Sequence, residues 1–213
     1  MKLLRENSRL RYNYLVLALS LSKGMKAMFS NNKEIETYVD FATHQLDNTT
    51  MNHIKYTLIH KDAINQLTGK FSDILGGKTF DNHDRDKLVY LTLFNDTKYA
   101  SKIHKSTAKH HFYPEAQEIK YEMILDYESA HMSKADKPLS AYDTILTYYP
   151  ERMTALTEPL KQLGLWEKSS PYVVNEEEMY GMFDKLSESR ILEEIEKSIQ
   201  FFISDEFIDY INI

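Results

Sequence analysis

The sequence predicts an all-α fold built as one domain. Three observations predict it. Only six glycines and five prolines punctuate 213 residues, too few for the many tight turns of a sheet-rich fold. Apolar residues recur at three- and four-residue spacing along most of the chain. No strand-like alternation longer than a few residues interrupts them, and there is no internal repeat or low-complexity tract.

Residues 9 to 29 read as the first helix, ended near Ser30-Asn31-Asn32. Its apolar run, Y-L-V-L-A-L-S-L-S at 14 to 22, follows a basic start and has the look of a signal peptide. The run is too short to span a bilayer. No small-x-small cleavage site precedes Lys23, and Met25, Met28 and Phe29 continue the pattern, so it is read as a buried helix. Residues 33 to 47 place Ile35, Tyr38, Val39, Ala42 and Leu46 at helical spacing. Asp47-Asn48-Thr49-Thr50 is a polar break rich in N-cap residues, and a long helix follows from about 51 to 68. Gly76-Gly77 marks a turn. Asp81 or Asn82 is expected to cap a helix running to about 95. Residues 98 to 111 read as helical, and Pro114 suits the first turn of a helix that reaches about 131. Helices are then expected around 139–149, 152–163, 175–186 and 188–211, broken by a loop from Ser133 to Pro138 and by Ser169-Ser170-Pro171. The last carries Ile191, Ile195, Ile199, Phe202 and Ile203 on one face, a candidate dimer surface.

The net charge of −6 argues against a partner that presents a nucleic-acid backbone. With no cysteine, disulfides, thiolate zinc sites and cysteine nucleophiles are excluded, and a cytoplasmic location fits.

Seven of the eight histidines fall between residues 53 and 131. His53 and His60 are two helical turns apart and share a face, as His104 and His111 would on a helix, with His110 pointing elsewhere. F-D-N-H-D-R-D-K, residues 80 to 87, places His83 beside Asp84 at the expected helix start, with Lys87 one turn on. Glu122 and Asp126 stand one turn apart. Each piece alone also has a plain structural reading: helix-start acids, a core histidine, a solvated His-His loop, surface carboxylates flanking Lys120. Together they form a set suited to a divalent transition metal, because neutral imidazole and carboxylate are natural ligands for such an ion. Mixed ligation of this kind leaves the ion open to water, unlike a closed thiolate site.

The order His, His-Asp, further His, then Asp resembles the HD-domain superfamily of helical metal-dependent phosphohydrolases. H-D-R-D-K is similar to the His-Asp-x-x-Lys element of several of its branches. Closer still is an uncharacterised bacterial and phage family marked by a stretch like H-I-K-Y-T-L-x-H-K, then His-Asp-x-x-Lys, a segment ending in His-His, and Glu-Met-x-x-Asp. Residues 53–61, 83–87, 104–111 and 122–126 match in that order. The resemblance covers about residues 50 to 130, leaving 1–49 and 139–213 as helical extensions of an HD-like bundle. It implies His60, His83, Asp84 and Asp126 as metal ligands, with His104 and His111 available to a second ion; His53 competes with His60 as the first ligand. The implied ion is Mn, Fe, Ni, Co or Zn. The chain departs from the pattern in the apolar run Leu88, Val89 and Leu91, and in Tyr127 where the close family often has Trp. The glycine-rich signature of cyclic-di-GMP phosphodiesterases is absent.

The implied activity is hydrolysis of a nucleotide or other small phosphoester by a metal-bound hydroxide, with Lys87 countering phosphoryl charge and His110 or His111 protonating the leaving group. Two alternatives stand beside it: a non-catalytic nucleotide- or signal-binding protein with a retained metal site, and an HD-type di-iron oxygenase.

Overall fold

The structure, a computed structural model, describes residues 2–112, 116–168 and 173–211, with side chains from residue 10 onward. Among these residues every regular element is helical: α1 (Lys2–Met28), α2 (Asn32–Thr43), α3 (Asn48–Lys70), α4 (Ser72–Leu75), α5 (Arg85–Phe94), α6 (Thr97–Thr107), a 3-10 turn (Lys109–His111), α7 (Gln117–Ser133), α8 (Ala141–Tyr148), a second 3-10 turn (Pro150–Arg152), α9 (Met153–Gln162), α10 (Glu176–Asp184), α11 (Glu188–Phe202) and α12 (Glu206–Tyr210). No described helix is long and apolar enough to cross a membrane. The expected breaks at Pro114 and at Ser169-Ser170-Pro171 lie outside the described residues.

The chain divides into two compact units, each assembled from separated segments. The first comprises residues 1–54, 84–111 and 187–213; the second comprises 55–83 and 112–186. The chain crosses between them four times, once at the His83–Asp84 peptide bond.

In the first unit α5 is the central element. Leu88, Val89, Tyr90 and Leu91 are consecutive and fully buried, so this helix is enclosed on all sides by α2, α6 and α11. That is the reason for the apolar run after Lys87. α11 turns Ile191, Ile195, Ile199 and Phe202 inward against α2 and α5, so its apolar face is used within the unit. The Tyr90 and Phe202 rings meet edge to face with centroids 5.5 Å apart. Ser22 of α1 donates to the carbonyl of Phe202 at 2.7 Å, which fixes α1 on α11. Residues 188–211 are two helices, where one was expected. The break at residues 203–205 folds α12 back, so that Phe207 becomes fully buried with its ring 4.3 Å from that of Phe202.

In the second unit Met123, Ile124 and Leu125 of α7 are fully buried in a core with Leu67, Phe71, Ile145, Leu156 and Leu160. Gly76, at φ 63°, closes α4 in the left-handed conformation that favours glycine, and the Gly77 N–H returns to the Ser72 carbonyl at 2.9 Å. Asn175 and Glu178 form a reciprocal capping box at the start of α10.

Two helix boundaries near the His-Asp pair differ from expectation. α5 begins at Arg85, so neither Asp81 nor Asn82 caps it. The Asp81 carboxylate accepts the Thr79 hydroxyl at 2.7 Å, and its carbonyl accepts Lys61 Nζ at 2.9 Å. α6 ends at Thr107 because Ala108 is extended (φ −70°, ψ 132°), and a 3-10 turn carries both histidines that follow.

Candidate metal centre

The ligand types predicted for a metal occur in both units, His60, His83, Asp84 and His104 buried and Asp126 and His111 half-buried. In the second, α3 presents His60 and α7 presents Asp126, and His60 Nε2 lies 2.9 Å from Asp126 Oδ1. The turn before α5 presents His83, whose Nε2 is 3.7 Å from the same oxygen. His83 Nδ1 lies 2.9 Å from Glu122 Oε1, one helical turn before Asp126. His60 Nδ1 faces the hydroxyls of Ser129 and Ser133 at 3.2 and 3.3 Å. Those hydroxyls donate to the carbonyls of Asp126 and Ser129. Their lone pairs therefore receive the Nδ1–H of His60. The two ring nitrogens thus have partners of different kinds: Nδ1 faces two hydroxyls, and Nε2 faces a carboxylate.

The same division of labour appears in the first unit. His104 Nδ1 is 3.0 and 2.9 Å from the two oxygens of Asp86, a residue with no solvent exposure. His104 Nε2 lies 2.9 Å from Asp84 Oδ1 and 2.9 Å from His111 Nε2. His110 Nε2 lies 3.8 Å from Asp84 Oδ1. One donor atom from each of His104, His110 and His111 falls within 4.8 Å of the others, a grouping that could hold a metal ion. Lys87 Nζ meets the other oxygen of Asp84 at 2.8 Å.

The 2.9 Å separations of His60 from Asp126, and of His104 from Asp84 and His111, suit an ion. Ligands about 2.0–2.1 Å from a transition metal are ~2.9 Å apart at right angles and ~3.4 Å apart at tetrahedral angles. The electrostatics point the same way. A bare imidazole nitrogen 2.9 Å from a carboxylate oxygen is repulsive, so a positive charge must lie between them: a proton or a metal ion. For His104, burial alone would lower the pKa, but the charges and hydrogen bonds of Asp86 and Asp84 raise it to about 9. For Asp126, burial pushes upward, and the hydrogen bonds and charges of His60 and His83 outweigh it and hold the carboxyl well below its usual range.

The backbone marks the same place. Asp84 adopts φ 58°, a left-handed conformation uncommon for a residue with a side chain. It occupies the N-cap position of α5 without making a side-chain cap, because its carboxylate faces His104 and Lys87. Strain of this kind collects at functional sites.

The ligand residues expected from sequence divide between the units: His60, His83 and Asp126 in one, Asp84, His104 and His111 in the other. Two expectations are corrected. His83 and Asp84 lie in the turn that leads into α5, with Asp84 as its N-cap, and not within the helix itself. His110 does not point elsewhere: the extended Ala108 lets the 3-10 turn bring its ring to 5.3 Å from that of His104. His53 is half-buried on the first turns of α3, and no metal-capable group among the described residues includes it.

Sequence reasoning missed three residues. Asp86 is the third acid of D-N-H-D-R-D, and it sits between Arg85 and Lys87 in the polar first turn of α5, where no local signal marks it as turning inward. Glu122 was paired with Asp126 on one face, but not assigned to His83. Lys61, next to His60, is buried and donates Nζ to the carbonyls of Asp81 and His83, at 2.9 Å each. Compared with known proteins, the chain matches no family model, no curated protein and no solved structure.

Proposed function

We propose that this protein is a metal-dependent phosphohydrolase of the HD type, acting on a nucleotide or another small phosphoester. One observation carries the metal part of the reading. Three histidines, His60, His83 and His104, each give Nδ1 to an acceptor and turn Nε2 toward an aspartate, the arrangement of ligating histidines with supporting partners. His60, His83 and Asp126 would hold one ion, and Asp84, His104 and His111 would hold a second. A divalent ion so held supplies Lewis-acid charge to a phosphoryl oxygen and lowers the pKa of a water molecule.

The chain's own residues do the rest. Glu122, Ser129, Ser133 and Asp86 fix the imidazole rings, so that little reorganisation accompanies binding. Lys87, paired with Asp84, is a cation that a phosphoryl oxygen can share. His110, beside His104 and His111, is the candidate proton donor to a leaving oxygen. The order of motifs supports hydrolysis; the geometry supports the metal.

Two ligand sets also suit a di-iron oxygenase, and tight nucleotide binding without turnover would fit a binding protein. The deciding experiment measures metal content by mass spectrometry on wild type and on His83→Ala/Asp84→Ala, with circular dichroism as the folding control. Wild type is expected to carry one or two equivalents of a transition metal that the folded variant loses. A panel of phosphoesters with Mn²⁺ follows, with iron content and oxygen uptake measured in parallel. A wild type that binds none of Mn²⁺, Fe²⁺, Ni²⁺, Co²⁺ or Zn²⁺ ends the proposal.

A further inference from the structure

The first unit holds a group that neither the motif order nor the ligand set accounts for. Tyr210, on the short helix α12, donates its hydroxyl to Asp86 Oδ1 at 3.3 Å. Asp86 is the carboxylate whose two oxygens bracket His104 Nδ1. The Tyr210 ring also lies 6.4 Å from that of His110, so it borders one of the three clustered histidines and reaches another, His104, through Asp86.

The tyrosine is held in place from behind. Phe207 of the same helix is fully buried, 4.3 Å from Phe202 and 5.9 Å from Phe201, ring centroid to centroid. Phe201 packs edge to face on the Tyr210 ring at 5.3 Å. The sequence reason is the break at residues 203–205. A straight continuation of α11 would carry Tyr210 away along its axis. The turn, closed by the Ser204 hydroxyl on the Phe201 carbonyl at 2.7 Å, folds α12 back toward α5.

We propose that Tyr210 is a positioning residue for the metal ligand His104, acting through Asp86. A buried carboxylate accepting from one imidazole alone can rotate about its Cβ–Cγ bond. A second donor on one oxygen fixes the carboxylate plane, and with it the His104 ring and the basicity of its Nε2. The inference rests on the metal reading and deepens it, since it makes α12 a working part of the first-unit site.

The test uses the full chain, with Co²⁺ as the probe. Tyr210→Phe keeps the ring on Phe201 and removes only the hydroxyl. Circular dichroism and thermal melting of the metal-free variant should match wild type. The affinity for Co²⁺ should fall about tenfold, the low end of what outer partners of a ligand contribute. The visible ligand-field bands of the Co²⁺ form should shift, a change that loss of packing alone would not produce. In an Asp86→Ala background, which leaves no acceptor between the two groups, Tyr210→Phe should add nothing, because the link is already cut. If wild type binds Co²⁺ and Tyr210→Phe matches it in affinity and spectrum, the inference is overturned and the metal reading stands. If wild type binds none, both fall. An additive effect in the Asp86→Ala background also overturns the route through Asp86.

Discussion

His104 and Asp86 form a fully enclosed pair: both carboxylate oxygens of Asp86 lie within 3.0 Å of His104 Nδ1, and Asp86 has no solvent exposure. An uncompensated carboxylate in that position would be costly, so its presence needs a partner that stays hydrogen-bonded. His104 is that partner, and on the proposed metal reading Asp86 would hold Nδ1–H and leave Nε2 for the ion. Asp86→Asn preserves shape and removes the charge. The expected result is a folded variant whose metal affinity falls about 10- to 100-fold, measured by isothermal titration with Co²⁺ or Zn²⁺. Unchanged affinity would make the pair a structural ion pair only.

The same pair sets a pH dependence for the metal-free protein. The His104 pKa is raised to about 9, against an unfolded value near 6.5. A folded pKa above the unfolded one means that this stabilisation is complete below about pH 6.5 and is lost as pH rises through about 9. Metal must displace that proton, so uptake should release protons at neutral pH and weaken as pH falls. Calorimetric titration in two buffers of different ionisation enthalpy reads the proton count. Denaturant melts of the metal-free protein at pH 6.5 and 9.5 read the stability, which should be lower at 9.5. Proton-neutral uptake at pH 7.5 would show that His104 starts out neutral.

Asp84 offers a test in which the usual order of two substitutions reverses. At most positions alanine is more stable than glycine. Asp84 has φ 58°, where a Cβ costs an L-residue roughly 1–2 kcal/mol. Asp84→Gly and Asp84→Ala lose the same carboxylate, and both should lose metal from the first-unit site. In urea melts of the metal-free proteins the glycine variant should be more stable by about 1 kcal/mol. Alanine proving the more stable would mean that the turn relaxes out of the left-handed region.

The helical class and most element positions could be read from spacing, because burial of one face imposes that spacing whatever the tertiary arrangement. The residue types that the structure groups as candidate ligands were legible too, as an order in the sequence. What stayed hidden was set by contacts between distant segments. α5 starts at Arg85 because Asp84 turns its carboxylate to His104, twenty residues on, and no local signal carries that choice. α6 stops at Thr107 although K-H-H reads as helical, because the 3-10 turn brings His110 and His111 together with His104. The division of the ligands between two compact units follows from α11 enclosing α5, a pairing of segments about a hundred residues apart that periodicity does not encode. Asp86 and Lys61 are polar residues on buried faces, and sequence alone does not say which of a helix's charges face inward.

Lys61 supports the last prediction. It is buried, and its Nζ donates to the carbonyls of Asp81 and His83 at 2.9 Å each, clamping the turn that presents His83. Lys61→Met keeps the aliphatic stem and removes the donor. Leaving buried carbonyls short of a partner costs about 1–3 kcal/mol. The expected result is a less stable but folded protein in which the amides of residues 80–84 exchange hydrogen faster. Its affinity for metal should be about tenfold weaker, since His83 loses the backbone that aims it. Lys61→Arg, which can still donate to both carbonyls, should recover part of each effect. Amide exchange at residues 80–84 that stays at the wild-type rate in Lys61→Met would mean that the turn is held by its own backbone bond from the His83 N–H to the Phe80 carbonyl, at 2.9 Å, and not by the lysine.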